Sequence, residues 1–224
     1  MRHRVIVPEL LDDATDEEAA ENLADLVRIN RWIGGHRILL RHLRRFVAPT
    51  DRFTLLDVGA ASGDMARVVQ REFPRAVVVS LDHQARNLRA APGLKVVGDA
   101  FALPVKRVDF VHASLFLHHF TDGQVVELLR SMRECAERAV IVQDLERRAV
   151  ARHFLRTTRW LFRWNRLTVH DGAISVAAGF RRRELARLAI AAGMAEARVE
   201  THGLTFRLSL VAGPAIMRVR SLGA

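Results

Sequence analysis

Ten consecutive residues combine apolar, small and acidic side chains in an order that could bind a ligand. Residues 55–64 read Leu-Leu-Asp-Val-Gly-Ala-Ala-Ser-Gly-Asp, which predicts a buried strand, a tight turn and the start of a helix. Small residues in such a turn let the backbone approach a ligand at the carboxyl end of the strand, where doubly wound sheets bind their ligands. Asp57 could pair there with a cationic amino group.

The same turn could instead bind a dinucleotide, whose pyrophosphate requires the pattern G-x-G-x-x-G. Counted from Gly59, the second and third glycines of that pattern are replaced by Ala61 and Asp64. An acid in the third position would lie near the negative pyrophosphate and would prevent tight packing of helix on strand. The spacing therefore disfavours a nicotinamide oxidoreductase. The pattern D-x-G-x-A-x-G, from Asp57 to Gly63, better suits a ligand with a cationic amino group.

Two further acids follow the next two strand-like segments. Asp82 ends an apolar run 19 residues after Gly63, where a carboxylate could accept hydrogen bonds from both hydroxyls of a ribose. Asp99 follows the third run in Val-Gly-Asp-Ala, where it could accept a hydrogen bond from an adenine amino group. Each acid alone is equally consistent with a strand-end cap or a turn residue. Three acids at three successive strand ends, after a glycine turn, predict a nucleoside-binding edge.

These motifs resemble the cofactor motifs of class I S-adenosylmethionine-dependent methyltransferases. The resemblance implies a Rossmann-like α/β fold with a doubly wound seven-stranded sheet whose last strand is antiparallel, and S-adenosylmethionine (SAM) as the cofactor. It implies that the methionine end lies beside Asp57–Gly63, the ribose at Asp82 and the adenine at Asp99 and Ala100. Ala61 departs from the family pattern, which usually has a glycine there. The predicted cofactor-binding residues are Asp57, Gly59, Ala61, Gly63, Asp82, His83, Asp99, Ala100 and Ser114.

The segment after the fourth predicted strand carries paired histidines. Residues 111–120 read Val-His-Ala-Ser-Leu-Phe-Leu-His-His-Phe, and the family resemblance implies that this segment faces the methyl group. Methyl transfer from a charged sulfonium depends mostly on positioning, and a base is needed only when the acceptor arrives protonated, as a phenol does. His118 and His119 are therefore the candidate catalytic residues. Alternatively, one of them caps the following helix or packs beside the cofactor.

Motifs of other acceptor classes are missing from the sequence. No Asn-Pro-Pro-aromatic motif, which family members that methylate amide or base nitrogens usually carry, follows the fourth predicted strand. Neither Ala113 nor Ser114 is an acid that could begin a magnesium site, and Cys135 has no companion cluster of metal ligands. We therefore expect no metal, and we expect methyl transfer to oxygen or carbon of a small molecule.

Arginines and aromatic side chains alternate in residues 146–166. This segment holds seven arginines together with Phe154, Trp160, Phe162 and Trp164. The family resemblance implies that substrate-covering elements are inserted here. Three functional interpretations compete: a lid over an apolar substrate, a helix at a membrane surface, and a nucleic-acid contact. A solvated amphipathic helix without a special task is the fourth.

A second resemblance, more limited, concerns the acceptor. Asn30-Arg31-Trp32 and residues 170–180, which we interpret as a long connection, resemble a bacterial methyltransferase group associated with polyketide-type aromatic products. This resemblance implies a small, apolar aromatic or polyketide-like acceptor and a role in secondary metabolism. The candidate substrate-binding residues are Trp32, His119, Trp160 and His170.

The remaining pattern predicts one domain over residues 1–224. Residues 1–48 form a helical extension, 53–145 the cofactor-binding core, 146–180 the candidate substrate lid, and 181–224 a C-terminal helix and hairpin. Near-continuous apolar strands separated by helices predict a parallel sheet buried on both faces. Strands are predicted at residues 53–58, 76–81, 94–97, 108–113, 139–143, 196–202 and 207–212, and core helices at 64–72, 84–90, 122–138 and 182–192.

Charge and composition narrow the function classes. The formal net charge is +10, but the 35 basic residues include only two lysines, and the arginines are scattered through every segment. Such usage is typical of GC-rich coding bias, so we expect no specific nucleic-acid partner. An RNA methyltransferase and a non-catalytic protein that retains the cofactor fold remain alternatives. A single cysteine and the lack of a long apolar run favour a cytoplasmic protein without a transmembrane segment; peripheral membrane contact and the oligomeric state stay open.

Overall fold

The computed structural model describes residues 3–213, and within this range the predicted doubly wound α/β fold is confirmed. Residues 214–224, the end of the predicted C-terminal segment, lie outside the described residues. The strands are β1 (Thr54–Val58), β2 (Val77–Asp82), β3 (Leu94–Val97), β4 (Val108–Ser114), β5 (Ala136–Leu145), β6 (Arg198–His202) and β7 (Arg207–Ala212). They form one sheet in the order β3-β2-β1-β4-β5-β7-β6. β1 to β5 are parallel, and β7 runs antiparallel to both β5 and β6.

Helices cover both faces of the sheet and its carboxyl edge. They are α1 (Asp16–Trp32), α2 (Gly35–Leu43), α3 (Asp64–Glu72), α4 (Asp122–Cys135), α5 (Ala149–Phe162), α6 (Arg166–Ala178) and α7 (Arg182–Ala191), with short 3-10 helices at Leu10–Asp13, Asn87–Ala90, Leu117–His119 and Gly203–Thr205. Thr15 and Thr121 begin α1 and α4 through reciprocal hydrogen bonds with the third residue of each helix, which fixes where both helices start. None of the helices in residues 3–213 is long and apolar enough to cross a membrane.

Two hydrophobic cores lie on the two faces of the sheet. α4 and α7 pack on one face through residues that include Leu129 and Leu185. α2 and α3 pack on the other face, around Phe53, Phe73 and Phe110. The central strands are therefore buried on both sides, which explains why they read as near-continuous apolar runs rather than as an alternating pattern.

The predicted helix over residues 84–90 is wrong. Only a 3-10 turn forms there, at Asn87–Ala90. The carboxylate of Asp82 accepts hydrogen bonds from the Gln84 backbone N–H at 2.9 Å and from the Asn87 side chain at 3.1 Å. These two bonds hold the chain in a loop around the end of β2, because they use the acid as a local partner in place of a helical backbone ladder.

The long connection predicted over residues 170–180 is also wrong, since α6 is helical as far as Ala178. Gly172 lies inside this helix. A Cβ at Gly172 would come within 2.4 Å of the Leu155 Cδ1 atom on α5. This glycine therefore permits close packing of two helices rather than a turn, and sequence alone does not separate those two uses of glycine.

The N-terminal residues lie across the carboxyl edge of the sheet. We call residues 4–14 the N-terminal strap. The Val5 backbone N–H donates to the Ala177 carbonyl at 3.1 Å, and the N–H groups of residues 10 and 11 donate to the Asp171 carboxylate at 3.0 and 3.1 Å. Both ends of the strap are thus hydrogen-bonded to α6. The predicted helical extension starts only at α1, and the strap was not foreseen.

Candidate functional site

A cavity of about 1050 Å³ lies at the carboxyl edge of the sheet. The ends of β1, β2 and β4 and the loops after them form its floor. α1, α6 and the inner face of α5 form its walls, and the strap covers it. Eight of the nine predicted cofactor-binding residues line this cavity: Asp57, Gly59, Ala61, Asp82, His83, Asp99, Ala100 and Ser114. The ninth, Gly63, lies at the start of α3 beneath the turn.

The turn after β1 depends on two glycines, both of which have a φ of 68°. A Cβ at Gly59 would lie 2.4 Å from the Phe116 ring, and one at Gly63 would lie 2.5 Å from the Ala91 Cβ. Neither position can therefore accept a side chain. Ala61 also has a positive φ, of 49°, at a strain of roughly 1–2 kcal/mol for a residue with a Cβ. The backbone thus has the left-handed shape that a glycine would adopt freely, and the alanine is accommodated in it.

The acids after β2 and β3 hold their own loops and also line the cavity. Asp82 Oδ2 accepts the Ala61 N–H at 3.0 Å, and its Oδ1 accepts the Gln84 N–H at 2.9 Å. Because each carboxylate oxygen can accept about two hydrogen bonds, Oδ2 keeps capacity for a ligand hydroxyl. Asp99 is exposed and accepts the Phe101 N–H at 2.9 Å. Both acids therefore have the structural role that sequence analysis left open as an alternative.

Asp57, on β1, has one carboxylate oxygen without a partner. Its Oδ1 lies 2.8 Å from His112 Nδ1 on β4, and His112 Nε2 lies 3.2 Å from the Gln143 amide nitrogen on β5. Because that nitrogen only donates, His112 Nδ1 carries the ring proton and donates it to Asp57. Asp57 Oδ2 and Ser114 Oγ are buried with no hydrogen-bond partner among the described residues. Burial raises the pKa of Asp57, although His112 opposes the rise, so a cation at Oδ2 would stabilise the carboxylate.

A buried arginine reaches the cavity from the other side. Arg207 begins β7, is 1% exposed, and donates through Nη2 to Asn30 Oδ1 at 2.7 Å. Asn30 Nδ2 donates to Asp64 Oδ2 at 2.9 Å, and His36 Nε2 lies 2.7 Å from the same oxygen. Burial lowers the pKa of Arg207 to about 10, against the raising effect of Asp144 and Asp64, so the guanidinium stays charged at neutral pH. Its Nη1 is buried with no partner among residues 3–213.

The two candidate catalytic histidines have different surroundings. His118 is buried, its Nδ1 lies 2.7 Å from Asp144 Oδ1, and its Nε2 lies 3.8 Å from Glu9 Oε1 on the strap. Burial lowers the pKa of His118, but the two carboxylates raise it to about 9. This ring is therefore protonated at neutral pH and cannot accept a proton there. His119 lines the cavity, its side chain is 40% exposed, and its Nδ1 lies 3.9 Å from Glu9 Oε1.

Two groups of three potential metal-ligating side chains occur among the described residues. Glu9, His118 and His119 form one group, inside the cavity; His42, Glu200 and His202 form the other. In the first group, Asp144 holds one ring nitrogen of His118, and the Ser175 hydroxyl donates to Glu9. Hydrogen bonds and charge pairing therefore account for this cluster, and we assign it no metal.

Three of the four candidate substrate-binding residues are not brought to the cavity. Trp32 packs against Phe162 and Trp164 with tilted rings, at centroid separations of 5.5 and 6.1 Å, outside the cavity lining. Trp160 is 80% exposed on α5. The His170 side chain is half exposed and lies 3.0 Å from Asp171. Of the four, only His119 lines the cavity.

The candidate lid contributes other side chains to the cavity. Ala151, Phe154 and Leu155, on the inner face of α5, line it together with residues of α6. Alternating arginines and aromatics indicated a helix but not which face is inward, because the aromatics of α5 lie on more than one side. Sequence reasoning also missed His112, Arg207 and Glu9. The sequence did offer a signal for His112, since a histidine inside the apolar run of β4 is unusual. An arginine at the start of a strand, such as Arg207, and an acid in the strap, such as Glu9, give no such signal.

Comparisons with known proteins agree with this fold. The profile of the family described as "Methyltransferase domain" matches residues 17–195 of the chain. A search of curated proteins found no match. Among solved structures, human N-acetylserotonin methyltransferase in complex with SAM is 17% identical over 92% of this chain and 60% of its own, with a TM-score of 0.63.

Two further structures share the fold. The plantazolicin methyltransferase in complex with SAH is 12% identical over 88% of this chain and 89% of its own, with a TM-score of 0.63. A methyltransferase of calicheamicin biosynthesis in its SAH-bound form is 22% identical over 75% of this chain and 50% of its own, with a TM-score of 0.53. The chain thus spans only about half of the calicheamicin enzyme and 60% of the human one.

Proposed function

The chain belongs to the methyltransferase-domain family, and we propose that it transfers the methyl group of SAM to oxygen or carbon of a small, apolar aromatic acceptor. The observation that carries the proposal is a pair of buried, oppositely charged groups on one cavity, each with an unpartnered atom: Asp57 Oδ2 and Arg207 Nη1. A buried charge is costly unless it is paired. The methionine end of SAM carries one ammonium and one carboxylate, so it complements both groups.

The rest of the floor suits the nucleoside part of the same molecule. Asp82 Oδ2 has capacity for a ribose hydroxyl, since it accepts a single hydrogen bond, from Ala61 N–H. Ala100 and Phe101 offer apolar surface beside the exposed Asp99, as an adenine ring with one amino group requires. Gly59 also lines the cavity floor, and its missing Cβ makes room for the Phe116 ring. Residues at the ends of three successive strands, β1, β2 and β3, would thus contact one extended ligand.

When bound, SAM supplies a methyl group on a positively charged sulfur. For a hydroxyl acceptor, the oxygen would bond to the methyl carbon as the methyl–sulfur bond breaks, with the electron pair left on sulfur, and the hydroxyl proton would pass to a base. We assign that role to His119, which lines the cavity and is partly exposed. His118, protonated through Asp144 and Glu9, is a positioning residue: its charge holds the Glu9 carboxylate, and therefore the strap, over the site.

The upper part of the cavity suits an apolar acceptor. Its lining there is mainly aliphatic and aromatic and comes from the strap, α1, the segment after β4, α5 and α6: Ile6, Val7, Leu23, Leu26, Phe120, Phe154, Leu155 and Ile174. Burial of an aromatic ring against such walls contributes about 25 cal/mol per Å² of apolar area removed from water. Two of the polar side chains of the lining, His119 and Glu9, could orient one hydroxyl. A volume of about 1050 Å³ leaves room for cofactor and acceptor together.

Calorimetric titration with SAM and its demethylated product tests the proposal. We expect binding of both and none of NAD. Asp57→Asn should weaken SAM binding at least tenfold, because a hydrogen bond between charged groups contributes about 1.5–3 kcal/mol. Glu137→Gln is the matched control and should bind SAM normally. Glu137 lies at the amino end of β5, away from the cavity, and its ion pair with Arg107 is a long contact of 3.4 Å. Normal SAM affinity in Asp57→Asn would exclude Asp57 from the site.

The acceptor class needs its own measurement. Labelled SAM should methylate phenolic or polyketide-like compounds, and His119→Ala should lower kcat more than it raises KM. The RNA alternative predicts label in total RNA, absent with Asp57→Asn. Such incorporation would overturn the small-molecule assignment. We expect RNA binding to be weak, nonspecific and steeply reduced as the salt concentration rises, since contacts to phosphates depend strongly on salt.

A further inference from the structure

The outer face of α5 has a one-sided charge. No acid occurs between Glu146 and Asp171, and seven arginines lie in that interval. Four of them, all exposed, are on α5 or at its end: Arg152, Arg156, Arg159 and Arg163. Their spacing of four, three and four residues puts them within an arc of roughly 60° at 100° per residue. They therefore form one ridge along the helix, which we call the arginine ridge.

Large apolar side chains of α5 also point into solvent. At 100° per residue, Trp160 lies about 70° from the centre of the ridge, and Val150 and Leu161 lie about 150–170° from it, beyond Trp160. Trp160 is 80% exposed, Leu161 58% and Val150 70%. Trp160 adjoins the ridge directly, since it lines a shallow groove with Arg156, Arg159 and Arg163. The inner face of α5 is already used by the cavity and by α6. An exposed tryptophan next to cations and aliphatic side chains has no such use within the described residues.

We propose that α5 docks on an anionic phospholipid bilayer, with the arginine ridge at the phosphates and Trp160 and Leu161 in the interface. Helices that lie in membrane interfaces combine a basic face with tryptophan and aliphatic residues, and tryptophan favours the headgroup level. Charge complementarity selects the occupant, because the four exposed arginines of the ridge, on a helix without an acid, repel the same helix of a second copy of this chain and attract lipid phosphates. A nucleic acid would pair with the arginines but would leave the apolar side chains of Val150 and Leu161 exposed to water.

The position of α5 gives this docking a consequence for the cavity. Phe154 and Leu155 line the cavity on the inner side of the helix that carries the ridge on its outer side. Only one helix would therefore separate the bilayer from the apolar part of the site. An apolar acceptor that partitions into membranes would reach the protein at the surface where the protein itself is concentrated.

Co-sedimentation of the full chain with vesicles tests the proposal without any methyl transfer, so its failure would leave the proposed function untouched. Vesicles of phosphatidylcholine alone are compared with vesicles that contain equal parts of phosphatidylglycerol. We expect binding to the anionic vesicles, at least tenfold weaker binding to the neutral ones, and loss of binding as salt rises. Tryptophan emission should shift to the blue on binding to the anionic vesicles, and Trp160→Ala should lack most of that shift.

Matched variants separate the ridge from the overall charge. Arg156→Gln, Arg159→Gln and Arg163→Gln together should weaken anionic binding at least tenfold, since each basic residue near such a surface contributes roughly a fivefold gain. The control triple, Arg130→Gln, Arg183→Gln and Arg198→Gln, removes the same charge from exposed positions on α4, α7 and β6. It should bind nearly as the parent does. Leu204→Ala, at a side chain that is 97% exposed elsewhere, is the control for Trp160→Ala.

Three results would overturn the proposal. Equal loss in both arginine triples would show that net charge, not the ridge, drives vesicle binding. Binding to single-stranded RNA at physiological salt that exceeds binding to anionic vesicles, and that disappears in the ridge triple, would reassign the surface to nucleic acid. A dimer that Trp160→Ala dissociates in sedimentation equilibrium would reassign it to a second copy. All variants should keep the parent's unfolding midpoint, which shows that they fold.

Discussion

The floor and the cover of the cavity are built in different ways. The floor consists of strand ends in a parallel sheet, joined by a buried row of polar side chains from Asp57 through His112 to Gln143. By the cover we mean here the strap together with the walls formed by α1, α5 and α6. It is held by contacts between distant parts of the chain, such as Glu9 with His118. A floor of this kind suits a cofactor common to many proteins, whereas a cover held by contacts between distant segments can vary with the acceptor.

The largest expected effect concerns the contact between floor and cover. Asp144→Asn should lower the free energy of unfolding by about 3–5 kcal/mol at pH 6, because it leaves the buried, protonated His118 without its main counter-charge. Urea unfolding measures this loss. Asp109→Asn is the control, since Asp109 accepts its hydrogen bonds from Thr54, which is neutral. A loss of less than about 1 kcal/mol in Asp144→Asn would mean that His118 is not held as a cation.

The same ion pair predicts a pH dependence of stability. The pKa of His118 is raised from 6.5 to about 9 in the folded protein. Because the folded protein binds this proton more tightly than the unfolded chain, the full stabilisation is present below pH 6.5 and is lost as the pH rises through about 9. At about 1.36 kcal/mol per pKa unit, the loss amounts to about 3 kcal/mol. Urea midpoints should therefore fall from pH 6.5 to 9. The decline should be much smaller in His118→Gln; an equal decline there would assign it to other groups.

A third prediction concerns the two ends of the cofactor on the floor. Arg207→Met should weaken binding of SAM at least tenfold and leave binding of 5′-methylthioadenosine, which lacks the amino-acid end, unchanged. The reason is that Arg207 Nη1 is expected to pair only with the methionine carboxylate. Calorimetry with both ligands measures the difference. Arg198→Met, on the neighbouring strand, is the control, and parallel losses for both ligands would indicate a general disturbance of the floor.

The smallest expected effect lies within the cover. Gly172→Ala should destabilise the protein by about 1–3 kcal/mol, because the new Cβ would lie 2.4 Å from Leu155 Cδ1 and push α5 from α6. Amide exchange should accelerate in α5 and stay unchanged in β1 and β4. Gly123→Ala, in α4, is the control and should have the opposite effect on stability. No atom lies within 4 Å of its new Cβ, so the higher helix propensity of alanine should stabilise the protein by up to about 1 kcal/mol. Equal acceleration in β1 would mean that floor and cover unfold together.

Sequence reasoning located the floor well and the cover poorly. Asp57 and Asp82 were predicted to share one edge, and they do, because the carboxyl ends of parallel strands meet at the same edge of a sheet. Trp32 and Trp160 were predicted at the acceptor, yet neither lines the cavity. The arginines of α5 share one side, but its aromatic side chains lie on more than one side of the helix. The alternation of residue types therefore indicated the helix but not which face turns inward.

By itself the sequence determined the order of the seven strands along the chain, the glycine turn and the acids at three strand ends, since each of these depends on residues close together in the chain. The tertiary structure decided what meets that turn. Arg207 reaches Asn30 across 177 residues, and the strap reaches His118 across more than 100. Contacts of this kind leave no local pattern, because they form only when separate elements pack, and they set the charge of His118 and the position of Arg207 in the cavity.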